Sequence, residues 1–195
     1  MNMQQDDLEV PDGQLAHRLW RELMRAPRDK HHDWRTPILA TQGLGSSGPQ
    51  ARTVVLRHAD VHLWSLGVYT DGRSPKCLEL VAQPKAQLTF WSKRLNWQLR
   101  VSVQARVEFT GEGVNAAWDR VKQSSARADY LSSLPPGHIQ PDHEPSAADS
   151  EEPLIKHHLA VLTFNVTSMD WLALSQNGHR RAKLRPDGSV MWLVP

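Results

Sequence analysis

The chain has 195 residues, 39% hydrophobic and 23% charged, with a formal net charge of +2. That length suffices for one domain with a real core, and the proportions are those of a soluble globular protein. So small a net charge excludes a globally basic nucleic-acid binder and leaves the basic residues with local meaning.

Residues 1–12 read as a loose tail, and the whole chain as one domain. From Gly13 to Ala26, Leu15, Leu19, Trp20 and Leu23 recur at helical spacing, which predicts an amphipathic helix ended before Pro27. Thr36 to Thr41 is a short apolar run that predicts a strand, followed by the loop GLGSSGPQ. Ala51 to Arg57 and His62 to Thr70 predict an antiparallel pair, and Ser74 to Val81 a short helix stopped before Pro84. Gln87 to Ser92 and Trp97 to Phe109 predict two more strands. In the second, Leu99, Val101, Val103, Ala105 and Val107 alternate with Gln98, Arg100, Ser102, Gln104 and Arg106, which predicts one dry face and one wet face. Val114 to Leu131 reads as helix, and 135–153, rich in Pro, Ser, Asp and Glu, as a flexible loop. Leu159 to Leu174, Arg181 to Arg185 and Val190 to Val194 predict the last strands, the final two joined by an RPDGS turn. Mainly antiparallel strands with a few short flanking helices (α+β) point to a β-barrel.

The single cysteine, Cys77, excludes an intrachain disulfide and a multi-thiolate metal centre and fits a reducing compartment. The polar start MNMQQDDLEV lacks the apolar centre of a signal peptide, and no stretch reaches the roughly 20 apolar residues of a spanning helix. A cytoplasmic protein with no membrane partner is expected. The adjacent pairs His31-His32 and His157-His158 diverge in helix or strand alike, so no metal site is expected. No HExxH, GxSxG, Walker or GxGxxG pattern occurs. Trp97, Arg100 and Arg106 leave single-stranded nucleic acid as a minor alternative, and no nucleic-acid partner is expected. The eight tryptophans, scattered from Trp20 to Trp192, read as core packing or as an aromatic wall for a flat ligand.

The most informative segment runs from Arg52 to Lys76. Ser74-Pro75 opening a helix leaves backbone N–H groups unpaired, and Arg52, Arg57, Arg73 and Lys76 stand near enough in sequence to supply counter-charge to an anion. An ordinary hairpin followed by a surface helix is the competing reading.

RTVVLR at 52–57, YTDGRSPK at 69–76, PKAQLTFW at 84–91, WQLRV at 97–101 and a closing Trp171-x9-Arg181 resemble, in order, the pyridoxamine 5'-phosphate oxidase family. The likeness is nearest to its FMN-binding relatives of the RTVVLR and RSPK type. The resemblance implies an antiparallel split β-barrel homodimer with one FMN in each of two clefts between subunits. It assigns cofactor contacts to Arg52, Thr53, Val54, Val55, Leu56 and Arg57, to Tyr69 and Thr70, to Ser74 and Lys76, and to Gln98, Trp171 and Arg181. Pro75 replaces a family arginine, and Arg73 is expected to restore its charge. Arg57 stands where the oxidases carry lysine, and with His179 it is expected on the substrate side.

The departures are specific. Asn177 stands where the oxidase carries a substrate arginine, and the tyrosine, arginine and serine that hold the substrate phosphate in the oxidase are not reproduced after Trp118. The sequence therefore points to an FMN-dependent oxidoreductase acting by hydride transfer on a small molecule other than pyridoxamine phosphate, with a non-catalytic flavin-handling protein as the alternative.

Overall fold

A computed structural model describes residues 12–139 and 157–195. Most of the expected tail over 1–12 and loop over 135–153 therefore lies outside the described residues. Among the described residues, nine strands form one antiparallel sheet: β1 (Ile38–Gln42), β2 (Pro49–Thr53), β3 (Leu56–Asp60), β4 (Ser65–Asp71), β5 (Lys85–Ser92), β6 (Trp97–Glu108), β7 (Leu159–Ala173), β8 (Arg180–Leu184) and β9 (Val190–Leu193). Their order is β2-β1-β5-β6-β7-β4-β3, with β8 added to β7 and β9 to β8. The sheet does not close on itself, as a split barrel requires, and the expected mainly antiparallel fold is present.

The run expected as one strand, Ala51 to Arg57, is divided between two. β2 ends at Thr53, where it pairs with Ile38 of β1, and β3 begins at Leu56, opposite Val68 of β4. Val54 and Val55 make the crossing, anchored by the Val54 N–H donating to the Pro37 carbonyl at 2.9 Å. The alternation that suggested a single strand continues across this corner, which is why periodicity alone does not reveal it. The helix expected over Val114 to Leu131 also divides, into α3 (Glu112–Val121) and a 3-10 turn (Ser125–Tyr130).

α1 (Leu15–Arg25) buries Leu15, Leu19, Trp20 and Leu23 along one stripe, and the Ala26 N–H closes its end on the Glu22 carbonyl before Pro27. This stripe joins the dry face of β6, built from Trp97, Leu99, Val101 and Val103. Aromatic rings interlock there edge-on or tilted: Trp34 with Phe90 at 5.8 Å, Trp20 with Trp64 at 5.4 Å, and Trp97 with Trp171 at 5.3 Å between centroids. These tryptophans pack the core. A second, smaller core forms on the opposite face of β4 and β7, where Val114, Ala117 and Val121 of α3 meet Tyr130 and Leu159, with Tyr69 and Val161 against them.

One nearly buried polar knot ties the end of α1 to the sheet. His32 Nε2 lies 2.9 Å from Glu22 Oε2, and Arg94 Nη2 donates to the same oxygen at 2.8 Å. The Trp34 backbone N–H donates to His32 Nδ1 at 3.1 Å, which leaves Nε2 to donate to Glu22. The hydrogen bond from His32, with Arg94 opposing the effect of burial, holds the Glu22 carboxyl below its ordinary range. A depressed carboxyl stabilises the fold above its unfolded pKa and loses that contribution as pH falls through its folded value. Glu22→Gln is thus expected to lower stability by roughly 2–3 kcal/mol at neutral pH. In thermal unfolding from pH 7 to pH 3, the gap between the two proteins should narrow as the pH drops.

Candidate functional site

α2 (Pro75–Ala82) starts at the end of β4, with Pro75 at its first position and Ser74 before it. The turn into it is tight. A Cβ on Gly72 would sit 2.9 Å from the Phe109 ring and 3.3 Å from the Ala160 methyl, so this position needs glycine. The buried Ser74 hydroxyl donates to the Asp71 carbonyl at 2.7 Å and accepts from Lys76 Nζ at 2.8 Å. Thr70 Oγ1, also buried, lies 3.5 Å from it.

Arg52 reaches this turn from β2. Its Nη2 donates to Glu79 Oε2 at 2.8 Å, its Nη1 donates to Thr41 Oγ1, and Thr41 donates to the same Glu79 oxygen at 2.6 Å. Burial, together with the charge of Arg52 nearby, pushes the Lys76 ammonium below the ordinary lysine range. Two cations at a helix N-terminus, with Asp71 and Glu79 close by, make a seat where a bound phosphate would offset the burial and the Arg52 charge that depress Lys76. The residues fit the phosphate end of FMN.

Arg73 behaves otherwise. Its Nη2 donates to Asp71 Oδ2 at 2.7 Å and its Nε to Oδ1 at 3.1 Å. The same guanidinium donates to the carbonyls of Ser133 at 3.1 Å, Ser132 at 2.9 Å and Leu134 at 3.4 Å. Burial alone would raise the Asp71 carboxyl, but the hydrogen bonds from Arg73 outweigh it and hold it below its usual range. The charge expected to replace the arginine lost at Pro75 is committed to Asp71 and to the chain after Tyr130.

Thr53, Val54, Val55 and Leu56 form the β2–β3 corner, with Val54 and Leu56 buried. Arg57 sits at the irregularity in the β3–β4 pairing, beside Tyr130. Tyr69 lies on the second core, on the sheet face opposite the main one.

The remaining expected residues lie at the other end of the long strands. Gln98 pairs with Leu172, and Leu172 with Arg181, so Gln98 and Arg181 share one rung and one face. Arg181 is held there by a two-point ion pair to Asp170, at 2.9 and 2.8 Å, which also holds the Asp170 carboxyl below its usual range. Trp171 points the other way and is fully buried against Trp97 and Trp192. His179 is exposed in the β7–β8 loop, its Nδ1 accepting from the Ser175 N–H at 3.1 Å. Val161, opposite Tyr69, and Leu172, opposite Arg181, are eleven residues apart on β7, roughly 35 Å. Within one chain, then, Arg52, Thr70, Ser74 and Lys76 come together, Arg57 and Tyr69 flank the same end, and Gln98, Trp171, His179 and Arg181 do not join them.

Residues 17–108 match the family model described as pyridoxamine 5'-phosphate oxidase, FMN-binding domain. That stretch, just under half of the chain, carries the likeness to this family. Among solved structures, a pyridoxamine 5'-phosphate oxidase-related FMN-binding protein from Nostoc punctiforme shares the fold at a TM-score of 0.71 and 21% identity, over 93% of this chain and 98% of that one. PhzG from Burkholderia lata, solved with tetrahydrophenazine-1-carboxylic acid, gives 0.66 and 20%, over 98% and 96%. General stress protein 26 from Bacillus anthracis gives 0.51 and 14%, over 90% and 98%. No curated protein matches the chain in sequence.

Several residues of the site escaped the sequence reading. Thr41 and Glu79 compensate Arg52, Asp71 engages Arg73, and Asp170 engages Arg181. Asp71-x-Arg73 was the one local signal available; the other pairings depend on strand register. Arg73→Ala should free the three carbonyls at 132–134 and raise amide exchange across 130–134 at least tenfold. The Arg52–Glu79 pair should be left intact, as read by hydrogen-exchange mass spectrometry.

Proposed function

We propose that this protein binds FMN with the phosphate on the Arg52–Ser74–Lys76 seat and serves as an FMN-dependent oxidoreductase on a small molecule. The observation that carries the reading is Lys76: a partly buried ammonium, on the buried hydroxyl of the serine just before α2, beside a second cation that is ion-paired to Glu79. Such a site is unfavourable without an anion and favourable with one.

Bound FMN would supply hydride acceptance and onward electron transfer. The chain's own residues bind and orient. Lys76, Ser74 and Arg52 grip the phosphate, Thr70 supports Ser74, and the β2–β3 corner at Thr53 to Leu56 offers backbone to the cofactor. Arg57 contributes fixed positive charge where the substrate approaches. No side chain is required as a nucleophile.

The cleft is completed by a second copy of the chain. Gln98 and Arg181 share a sheet face with no bond to Arg52, Ser74 or Lys76 among the described residues, and a two-fold partner would bring its own set to the seat. Supporting this, the sheet face that carries Gln98 and Arg181 exposes Ile38, Trp91 and Met191, each 46–50% accessible. Among the described residues, no helix is long and apolar enough to cross a membrane. A cytoplasmic setting agrees with a lone cysteine that is buried.

A flavin-handling role without turnover is the second reading, favoured by the commitment of Arg181 to Asp170 and by Asn177 in an exposed turn. Peroxide release or flavin reduction on addition of amines, reduced nicotinamides or quinones would decide against it.

The purified protein is expected to be yellow and to bind added FMN in calorimetry. Arg52→Ala and Lys76→Ala should each weaken FMN about 10- to 100-fold, the loss of one charge-assisted contact. A colourless protein that gives no heat with FMN overturns the proposal.

A further inference from the structure

The inner stripe of α1 is spent on the core, and its outer side carries charge of one sign. His17, Arg21 and Arg25 are exposed there at intervals of four residues. The Arg28 and Asp29 N–H groups donate to the Arg25 carbonyl at 3.0 and 3.1 Å, so the chain keeps turning past the end of the helix and the exposed Arg28 continues the row. Four residues of helix rise about 6 Å, which sets the spacing of the cations. A second row runs alongside. Arg94 Nη2 donates to Glu22 at 2.8 Å and the Arg94 backbone N–H to Asp33 Oδ2 at 3.4 Å, which brings the β5–β6 turn and its exposed Lys93 against α1. At the start of β6 the Arg18 guanidinium lies over the Trp97 ring, 5.2 Å from its centroid.

The carboxylates of this region are buried or already bonded. Glu22 is 7% exposed and holds His32 and Arg94. Asp29 holds Arg25 and the His31 N–H, and Asp33 holds Ser92 and the Arg94 N–H. Among the described residues, Arg21, Arg28, Lys30 and Lys93 have no carboxylate within 4.0 Å. Residues 13–35 and 92–96 contain eight of the chain's 23 Lys and Arg but three of its 21 Asp and Glu. The net charge of +2 is therefore an average over a cationic face and an acidic remainder, and it argues against nucleic acid only for the chain as a whole.

Helix stability does not account for these charges. A helix favours anions in its first turn and cations in its last, yet α1 has no acidic residue in its first turn, and Arg18 and Arg21 stand in its first two turns. The chemistry of the face selects its partner. No large hydrophobic side chain of residues 13–35 or 92–96 is exposed. The face thus lacks the apolar centre of a protein–protein contact, the inserted side chains of a membrane anchor and the aromatic platform on which an unpaired base stacks. It offers two rows of cations, most of them arginine forks, which match phosphate oxygens. Because α1 covers the sheet face opposite that of Gln98 and Arg181, these rows stay open in the dimer proposed above.

We propose that the outer side of α1 and the adjoining β5–β6 turn form a docking face for the sugar-phosphate backbone of a double-stranded nucleic acid. The contact is to phosphates and carries no sequence preference. It is independent of FMN.

The test is fluorescence anisotropy of a labelled mixed-sequence DNA duplex, titrated with the full-length protein over a range of salt concentrations. Log affinity is expected to fall linearly with log salt at a slope of about 4, at about 0.9 per neutralised phosphate. Arg21→Ala with Arg28→Ala, and separately Lys30→Ala with Lys93→Ala, should each reduce that slope by roughly 2 and weaken binding at least tenfold, with the melting temperature and the heat of FMN addition as in the unsubstituted protein. Arg127→Ala with Arg185→Ala, exposed elsewhere on the chain, should leave duplex affinity as it is. Polyglutamate and phosphatidylserine vesicles are added as competitors at equal total charge. Displacement by either as readily as by unlabelled duplex, tighter binding of a single strand than of the duplex, a slope near zero, or affinity that survives both pairs of substitutions on the face overturns the proposal. Duplex binding by a protein that ignores FMN keeps this face and sinks the flavin reading, so the two failures are distinguishable.

Discussion

The ladder between β6 and β7 is the constraint on which the rest of the molecule depends. It runs from Trp97 opposite Ala173 to Glu108 opposite Val161 with a single shift of register at Ser102/Val103. Because side chains alternate across a strand, that ladder fixes two faces at once. One carries Leu99, Val101, Val103 and Trp171 into the core beneath α1, and the other carries Gln98, Arg100, Asp170 and Arg181 outward. A one-residue slip would exchange the faces, burying the Arg100–Asp170–Arg181 charges and exposing Trp171. The length of the ladder also sets Val161, the partner of Tyr69, eleven residues along β7 from Leu172, the partner of Gln98 and Arg181.

The chemistry of the seat follows from how the arginines are used. Arg52 is positioned by Thr41 and Glu79, so β2 and α2 are bound to each other through a partly buried ion pair. Lys76 is left beside it with a serine hydroxyl and no carboxylate of its own among the described residues. Arg73 is spent on structure, joining the Asp71 turn to the chain beyond Tyr130. Similar residue types at neighbouring positions thus do three different things, and only their partners distinguish them.

Much of this was legible in the sequence where the physics is local. The β6 alternation, the α1 stripe, Pro75 at a helix start and the order of the motifs all report short-range constraints, and the elements formed close to where they were expected. The β2–β3 corner at Val54-Val55 was not legible, because an apolar alternation reads the same whether or not the chain changes partner strand. Nor was the 3-10 turn at Ser125–Tyr130, where helix-like spacing continues past the end of α3. The partners of Arg52, Arg73 and Arg181 depend on three-dimensional contact, so the sequence showed the charges but not their compensation. Trp171 illustrates the same limit: its place in the motif order marks it for the flavin, whereas its ring is wholly in the core of its own chain.

The central claim is that Arg52, Ser74 and Lys76 hold a phosphate, and phosphorus NMR of FMN added to the protein tests it most directly. The account predicts a bound signal, shifted and broadened from that of free FMN, which reverts to the free position in the doubly substituted Arg52→Met, Lys76→Met protein while riboflavin binding is retained. A bound signal unchanged by that double substitution would place the phosphate elsewhere and contradict the account.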